Sequence, residues 1–134
     1  MASNILTKNE MIIMNVFWEM KRPLTSAELT DLVADKNWFP SYVTTTLRSL
    51  ATKGFVKVCG TIRHSTQYAR QFMSIVSREE YAARLALTSG IKKNELADVT
   101  LALVREVSDN EADLHNILGG LIDILAQKET MEGK

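Results

Sequence analysis

The sequence predicts a mainly α-helical chain with one small β-hairpin: three helices, the hairpin, then an all-helical tail. Three observations predict it. Four pairs of a hydroxyl residue with glutamate three positions on, Thr7/Glu10, Thr25/Glu28, Ser77/Glu80 and Ser108/Glu111, mark helix starts, because each pair satisfies two backbone N–H groups that a helix start leaves orphaned. The apolar period drops to two only after Gly54 and returns to the helical value after Ser77. Near the end, Leu114, Ile117, Leu118, Leu121, Ile122 and Leu125 form an unbroken stripe at helical spacing.

The first helix is expected from Lys8 to Met20, with Met14, Phe17 and Trp18 facing a core, and ends at "KRP" because the residue before Pro23 is disfavoured in the helical region. The second runs from Thr25 to about residue 35. The third starts at Pro40, whose fixed φ suits the first helical position, and stops at Lys53 with Gly54 as a left-handed cap. "FVKVC" then alternates as a strand, "GTIRH" supplies a Gly-led loop and "STQYAR" a second extended segment, with Leu24 available for a third, very short strand. A fourth helix follows Ser77 and stops near Gly90. The fifth is expected over 93–107 and the sixth over about 109–127.

The 134 residues, 46% of them apolar, suit a packed, soluble domain with an appendage. The amino terminus has no basic stretch followed by an apolar run, and Asp123 cuts the longest apolar run short of the roughly 18 residues that suggest a membrane span. A cytoplasmic protein without membrane insertion is expected. The single cysteine, Cys59, excludes an internal disulfide and a multi-thiolate site, and is expected to be a small, partly buried strand residue. The zero net charge conceals an asymmetry: residues 1–70 carry nine basic and five acidic side chains, residues 71–134 seven and eleven. A basic front half is compatible with a polyanion-binding domain.

The third helix bears three consecutive threonines, Thr44, Thr45 and Thr46, although threonine is a poor helix former. On a helical wheel Val43, Leu47 and Leu50 share one face, Thr46 lies at its edge, and Ser41, Thr44, Thr45, Arg48, Ser49 and Thr52 share the opposite one, flanked by Tyr42. That face is short, rich in hydroxyls and almost free of acid. Such a surface suits the DNA major groove: hydroxyls contact phosphates and base edges, threonine methyls contact thymine methyls, and arginine grips guanine bidentately. A hairpin beside it can bring Arg63 and His64 to phosphates or the adjacent minor groove. Two helices, an exposed polar helix and a hairpin, in that order, make a winged helix-turn-helix. Ser41, Tyr42, Thr44, Thr45, Arg48, Thr52, Arg63 and His64 are its candidate contacts with double-stranded DNA.

The division expected is 1–74 for this DNA-binding domain and 75–134 for a helical dimerisation domain. About 55 residues in three helices bury too little surface for a good core, so the tail's apolar stripes need a partner, for which a second copy of the chain is the simplest choice. The candidate interface is Leu96, Val99 and Leu103 on the fifth helix with Leu114, Ile117, Leu118, Leu121, Ile122 and Leu125 on the sixth. A two-fold dimer presents two recognition helices, so its operator is expected to be approximately palindromic.

The sequence resembles the penicillinase-repressor family, the BlaI/MecI/CopY group of bacterial winged-helix repressors. The resemblance rests on "EMIIMNVFW", "LTSAEL", "VTTTLRSLATKGFV", "YARQFMSIVSREEY" and "LVREVSDNEADL" in that order. It implies operator binding by the amino-terminal domain, interlocking carboxyl-terminal helices and, for some relatives, a membrane sensor protease as upstream partner. This chain departs from the family pattern at several places. Ser49 stands where an arginine usually precedes the leucine that is here Leu50, with Arg48 one position earlier. Phe39-Pro40 replaces a Ser-Pro step. Ala102-Leu103 replaces the Asn-Phe bond that a protease cuts in the β-lactam-responsive branch, and the paired Cys-x-Cys motifs of the copper-responsive branch are missing.

No phosphate loop, metal-ligand cluster or activated nucleophile marks an enzyme, and no cofactor or metal is expected. Two other readings fit the same residues: a winged-helix protein-interaction module without sequence-specific DNA binding, and a small-ligand-responsive regulator of another winged-helix family.

Overall fold

A computed structural model describes residues 5–132, apart from the side chains of His64, Met131 and Glu132. The order of elements is α1 (Lys8–Met20), β1 (Leu24–Thr25), α2 (Ser26–Leu32), a 3₁₀ turn (Ala34–Lys36), α3 (Pro40–Lys53), β2 (Val56–His64), β3 (Gln67–Ser74), α4 (Arg78–Leu87), a second 3₁₀ turn (Lys93–Glu95), α5 (Leu96–Val107) and α6 (Glu111–Glu132). This is the mainly α winged helix-turn-helix followed by helices that the sequence predicts.

Local chemistry sets most of the boundaries. Thr7, Thr25 and Ser77 each cap a helix with a reciprocal glutamate, as their spacing predicts. The fourth pair does not form. The Ser108 hydroxyl donates to Val104 O and closes α5, while Asn110 caps α6 by accepting from Asp113 N at 2.9 Å. Asn110 lies nearer the first turn and is as good a cap as serine. The first helix ends one residue before the "RP" step: Lys21 turns left-handed (φ 55°) and its N–H donates to Phe17 O. Gly54, at φ 85°, closes α3 in a conformation that costs side-chain-bearing residues more.

The sheet is antiparallel in the order β1-β3-β2, with Leu24 paired to Phe72. "GTIRH" is strand rather than loop: Gly60 pairs with Gln71, Ile62 with Ala69 and His64 with Gln67, leaving the turn to Ser65 and Thr66, with Ser65 at φ 61°. The sequence-based expectation failed because a glycine inside a strand also marks a bulge. The register shifts between Val58 and Gly60, and Cys59, expected to be partly buried, is exposed there with its thiol 3.5 Å from Gln71 O.

The chain divides into two compact units, Met1–Thr88 and Ser89–Lys134. The first has a closed core. Ile13, Met14 and Phe17 of α1 meet Leu29 of α2, Val43, Leu47 and Leu50 of α3, and Phe55 and Val56 at the start of the hairpin, all buried. Trp18 packs at the margin of this core, its indole N–H donating to Val76 O at 2.8 Å. α4, which the expected division after residue 74 assigns to the tail, packs in this first unit. Its buried Tyr81 stacks edge-on against Phe55 at 5.6 Å and accepts a hydrogen bond from Leu6 N at 2.9 Å.

The second unit consists of α5, α6 and the turn before α5. Val104 and Leu114 are its buried apolar residues, and most of both apolar stripes faces outward. No helix among the described residues is long and apolar enough to cross a membrane.

Candidate nucleic-acid interface

α3 is aimed by its apolar face. With Val43, Leu47 and Leu50 locked into the core, Ser41, Thr44, Thr45, Arg48 and Thr52 are exposed, and Thr46 is buried at 6% exposure. No acidic residue lies in the first turn, and no described residue pairs with the Arg48 guanidinium. The face is neutral to basic and open.

The threonines do not offer their hydroxyl hydrogens. Thr44 Oγ1 donates to Pro40 O at 3.1 Å, Thr45 to Ser41 O at 3.0 Å, Thr46 to Tyr42 O at 2.9 Å and Thr52 to Arg48 O at 3.0 Å. This back-bonding to the preceding turn fills a backbone acceptor. Outward, each exposed threonine therefore presents a methyl group and an oxygen lone pair, and Arg48 is the charged donor of the face.

Two neighbouring residues of α1 hold α3 at both ends. Asn9 Nδ2 donates to Tyr42 Oη at 2.8 Å, near the start of α3, and Tyr42 also packs edge-on against Trp38 at 5.2 Å. Glu10, buried at 5% exposure, accepts from Lys53 Nζ at 2.6 Å and Ser49 Oγ at 2.7 Å, near its end, as well as from Thr7 N at 2.8 Å. Ser49, placed on the exposed face by the wheel, is thus half-buried and committed to Glu10. Burial alone would raise the Glu10 pKa. The hydrogen bonds from Lys53, Thr7 and Ser49, with the Lys53 charge, outweigh it and hold the carboxyl below its ordinary range. Lys53 is consequently occupied inside the domain.

The wing adds a second basic surface. Arg63 pairs with Tyr68 and Thr61 with Arg70 across β2 and β3, and paired residues share a sheet face. Thr61, Arg63, Tyr68 and Arg70 therefore line one side near the hairpin tip, all exposed. Arg63 Nε donates to Ser65 O at 3.0 Å, and its guanidinium lies 6.0 Å from the centre of the Tyr68 ring. His64 is in β2, but its side chain lies outside the described residues. Ile62, Gln67, Tyr68 and Ala69 also line a groove of about 450 Å³ with Thr25, Glu28 and Asp31.

The structure thus groups Ser41, Tyr42, Thr44, Thr45, Arg48 and Thr52 on α3 and places Arg63 on the wing. It adds three exposed residues that sequence reasoning missed: Arg70 and Tyr68, whose signal was the period-two register with Arg63, and Phe39, at the start of α3. Of the candidate interface residues in the second unit, Leu96, Leu103, Ile117, Leu121, Ile122 and Leu125 are exposed, Val99 and Leu118 half-buried, and Leu114 buried. No group of three or more metal-ligating side chains occurs among the described residues.

The family profile described as penicillinase repressor matches residues 6–119. Among solved structures, a mutant of Lactococcus lactis ZitR is similar over 92% of this chain and 75% of its own, at 14% sequence identity and a TM-score of 0.41. The adhesin competence repressor AdcR of Streptococcus pyogenes is similar over 92% of this chain and 80% of its own, at 16% identity and a TM-score of 0.40. No curated protein matches the chain. The profile spans the recognition helix, the wing, α4, α5 and the first turns of α6, and on that breadth of match the chain belongs to the penicillinase repressor family of transcriptional regulators.

Proposed function

We propose that the protein is a cytoplasmic homodimeric repressor that binds a palindromic operator, with α3 in the major groove of each half-site and Arg63 and Arg70 of the wing on flanking phosphates. The observation that carries this reading is the exposed face of α3, which combines hydroxyl residues and an unpaired arginine with no acidic side chain in its first turn. A solvated helix without a polyanionic partner has no need of that composition, since glutamate and lysine form helices more readily.

The second unit supports the dimeric part of this reading. Leu121, Ile122 and Leu125 of α6 are 52%, 67% and 58% exposed in the single chain, and contiguous apolar surface of this kind marks an interface. A second copy bringing the same stripe buries both. The winged-helix domain expected over 1–74 then serves DNA binding and the helices of the second unit link the subunits, and repression needs only occlusion of the promoter.

Fluorescence anisotropy with the DNA upstream of the protein's own gene, against a random duplex over a salt series, tests the reading. One dimer per palindrome is expected to bind, with affinity falling as salt rises. Arg48→Ala is expected to cost about 1–3 kcal/mol on the operator and far less on random DNA, as befits a base-reading contact. Equal, weak binding to both duplexes would overturn it.

A further inference from the structure

Phe39 is 78% exposed, more than any other large apolar side chain among the described residues. It stands immediately before α3, and nothing in local folding asks for an aromatic ring there: the position is a helix cap, where serine, threonine or aspartate would serve better, and the Phe39 side chain makes no capping hydrogen bond. Its backbone is nevertheless fixed. Pro40 bars Phe39 from the helical region, its dihedrals are extended (φ −67°, ψ 147°), and its carbonyl accepts from Tyr42 N at 2.9 Å and Val43 N at 3.3 Å. The ring is therefore an apolar group held on a rigid base at the end of the recognition helix, the end from which helix-turn-helix proteins contact base edges.

The exposed face of α3 is apolar in part as well. With their hydrogens committed to Pro40 O and Ser41 O, Thr44 and Thr45 offer methyl groups and lone pairs. In the major groove the base-edge feature that meets an apolar surface is the thymine C5-methyl, whereas guanine presents two acceptors and needs a donor.

Resting on the reading of the protein as an operator-binding repressor, we propose that Phe39 is a specificity-determining residue that packs against a thymine methyl in each half-site. Arg48 then supplies the guanine-type contact farther along the helix, and the half-site is read as a thymine followed by a base that accepts from arginine.

The test uses the full-length protein. Duplexes are selected from a randomised pool, and the affinity of the enriched site is measured with each thymine replaced in turn by deoxyuridine, which removes only the methyl. At one position per half-site, wild-type protein is expected to lose affinity about four-fold, the equivalent of one buried methyl. Phe39→Ala is expected to bind the thymine duplex more weakly and to be indifferent to deoxyuridine at that position. A cytosine·guanine pair at that position is expected to bind more weakly than the thymine pair, and 5-methylcytosine in place of the cytosine to recover part of the affinity, since that exchange adds the methyl alone. Enriched sites on which deoxyuridine is silent, or on which it weakens wild type and Phe39→Ala equally, would overturn the role of Phe39 while leaving the repressor reading in place. A pool from which no site enriches would overturn both.

Discussion

The two units of the chain solve the problem of apolar surface differently. In the first, four helices and a hairpin close on one another, so that Ile13, Met14, Leu24, Leu29, Val43, Leu50 and Phe55 have no exposed area. In the second, two helices carry long apolar stripes, yet among its described residues only Val104 and Leu114 are buried apolar side chains. Two helices offer each other one contact line, and stripes wider than that line stay in water. A unit whose apolar residues close on one another is thus joined to one whose apolar stripes stay largely exposed in the single chain.

The sharpest way to break this comparison is to make the same kind of truncation in both units. Phe55→Ala removes a fully buried ring that packs on Tyr81 and is expected to cost about 3–5 kcal/mol, measured by urea unfolding and independent of protein concentration. Ile122→Ala is expected to lower the melting temperature only where the protein is dimeric, the effect vanishing on dilution. A concentration-independent loss for Ile122→Ala would show that α6 packs within its own chain.

A smaller effect separates the units by pH. Glu10→Gln keeps the shape of the buried side chain but removes its charge beside Lys53, whose side chain is 18% exposed, and is expected to destabilise the first unit by about 2 kcal/mol at neutral pH. The folded-state pKa of Glu10 lies below the ordinary carboxylate value of 4.5, so its contribution is complete above that value and is lost as the pH falls through the depressed one. Wild type and Glu10→Gln are therefore expected to converge in stability below pH 4.5. A constant gap down to the acid limit would refute the ionic role.

The smallest effect lies in α6. A Cβ added at Gly120 meets no atom within 4 Å in the single chain, so Gly120→Ala is expected to raise the stability of the helix by about 1 kcal/mol, read as a higher melting temperature. A gain in melting temperature accompanied by weaker dimerisation would sharpen the comparison, since it would assign the missing side chain to a close approach by the partner helix.

These differences bear on what the sequence could reveal. α1 and α3 begin and end where local signals place them, because Thr7 with Glu10, Pro40 and Gly54 act within one turn of themselves. The hairpin was legible as a hairpin but not in its extent, since Gly60 reads as a loop residue until it is paired with Gln71. Within the candidate interface, the exposure of Thr44, Thr45, Arg48 and Thr52 follows from the helical period and the apolar positions opposite them. Ser49 escaped the same reasoning because its partner, Glu10, is 39 residues away. Arg70 and Tyr68 needed the strand register, and Phe39 needed the knowledge that no other element covers it. Contacts made within a turn leave a signature in sequence, and contacts made across the fold do not.

The attachment of α3 to Asn9 and Glu10 has a consequence for how this protein can change. Successive residues of a helix point about 100° apart, so a helix free to roll could compensate for an inserted or deleted residue by turning. Here Tyr42 is fastened near one end and Ser49 and Lys53 near the other, which removes roll as a freedom. On the proposed operator-binding reading, a new DNA preference is therefore reached by exchanging the side chains at 39, 41, 44, 45, 48 and 52 in place. A single-residue insertion between the two fastenings would turn part of the set by about 100° away from the rest. Such a helix is open to rewriting letter by letter and closed to a shift of frame.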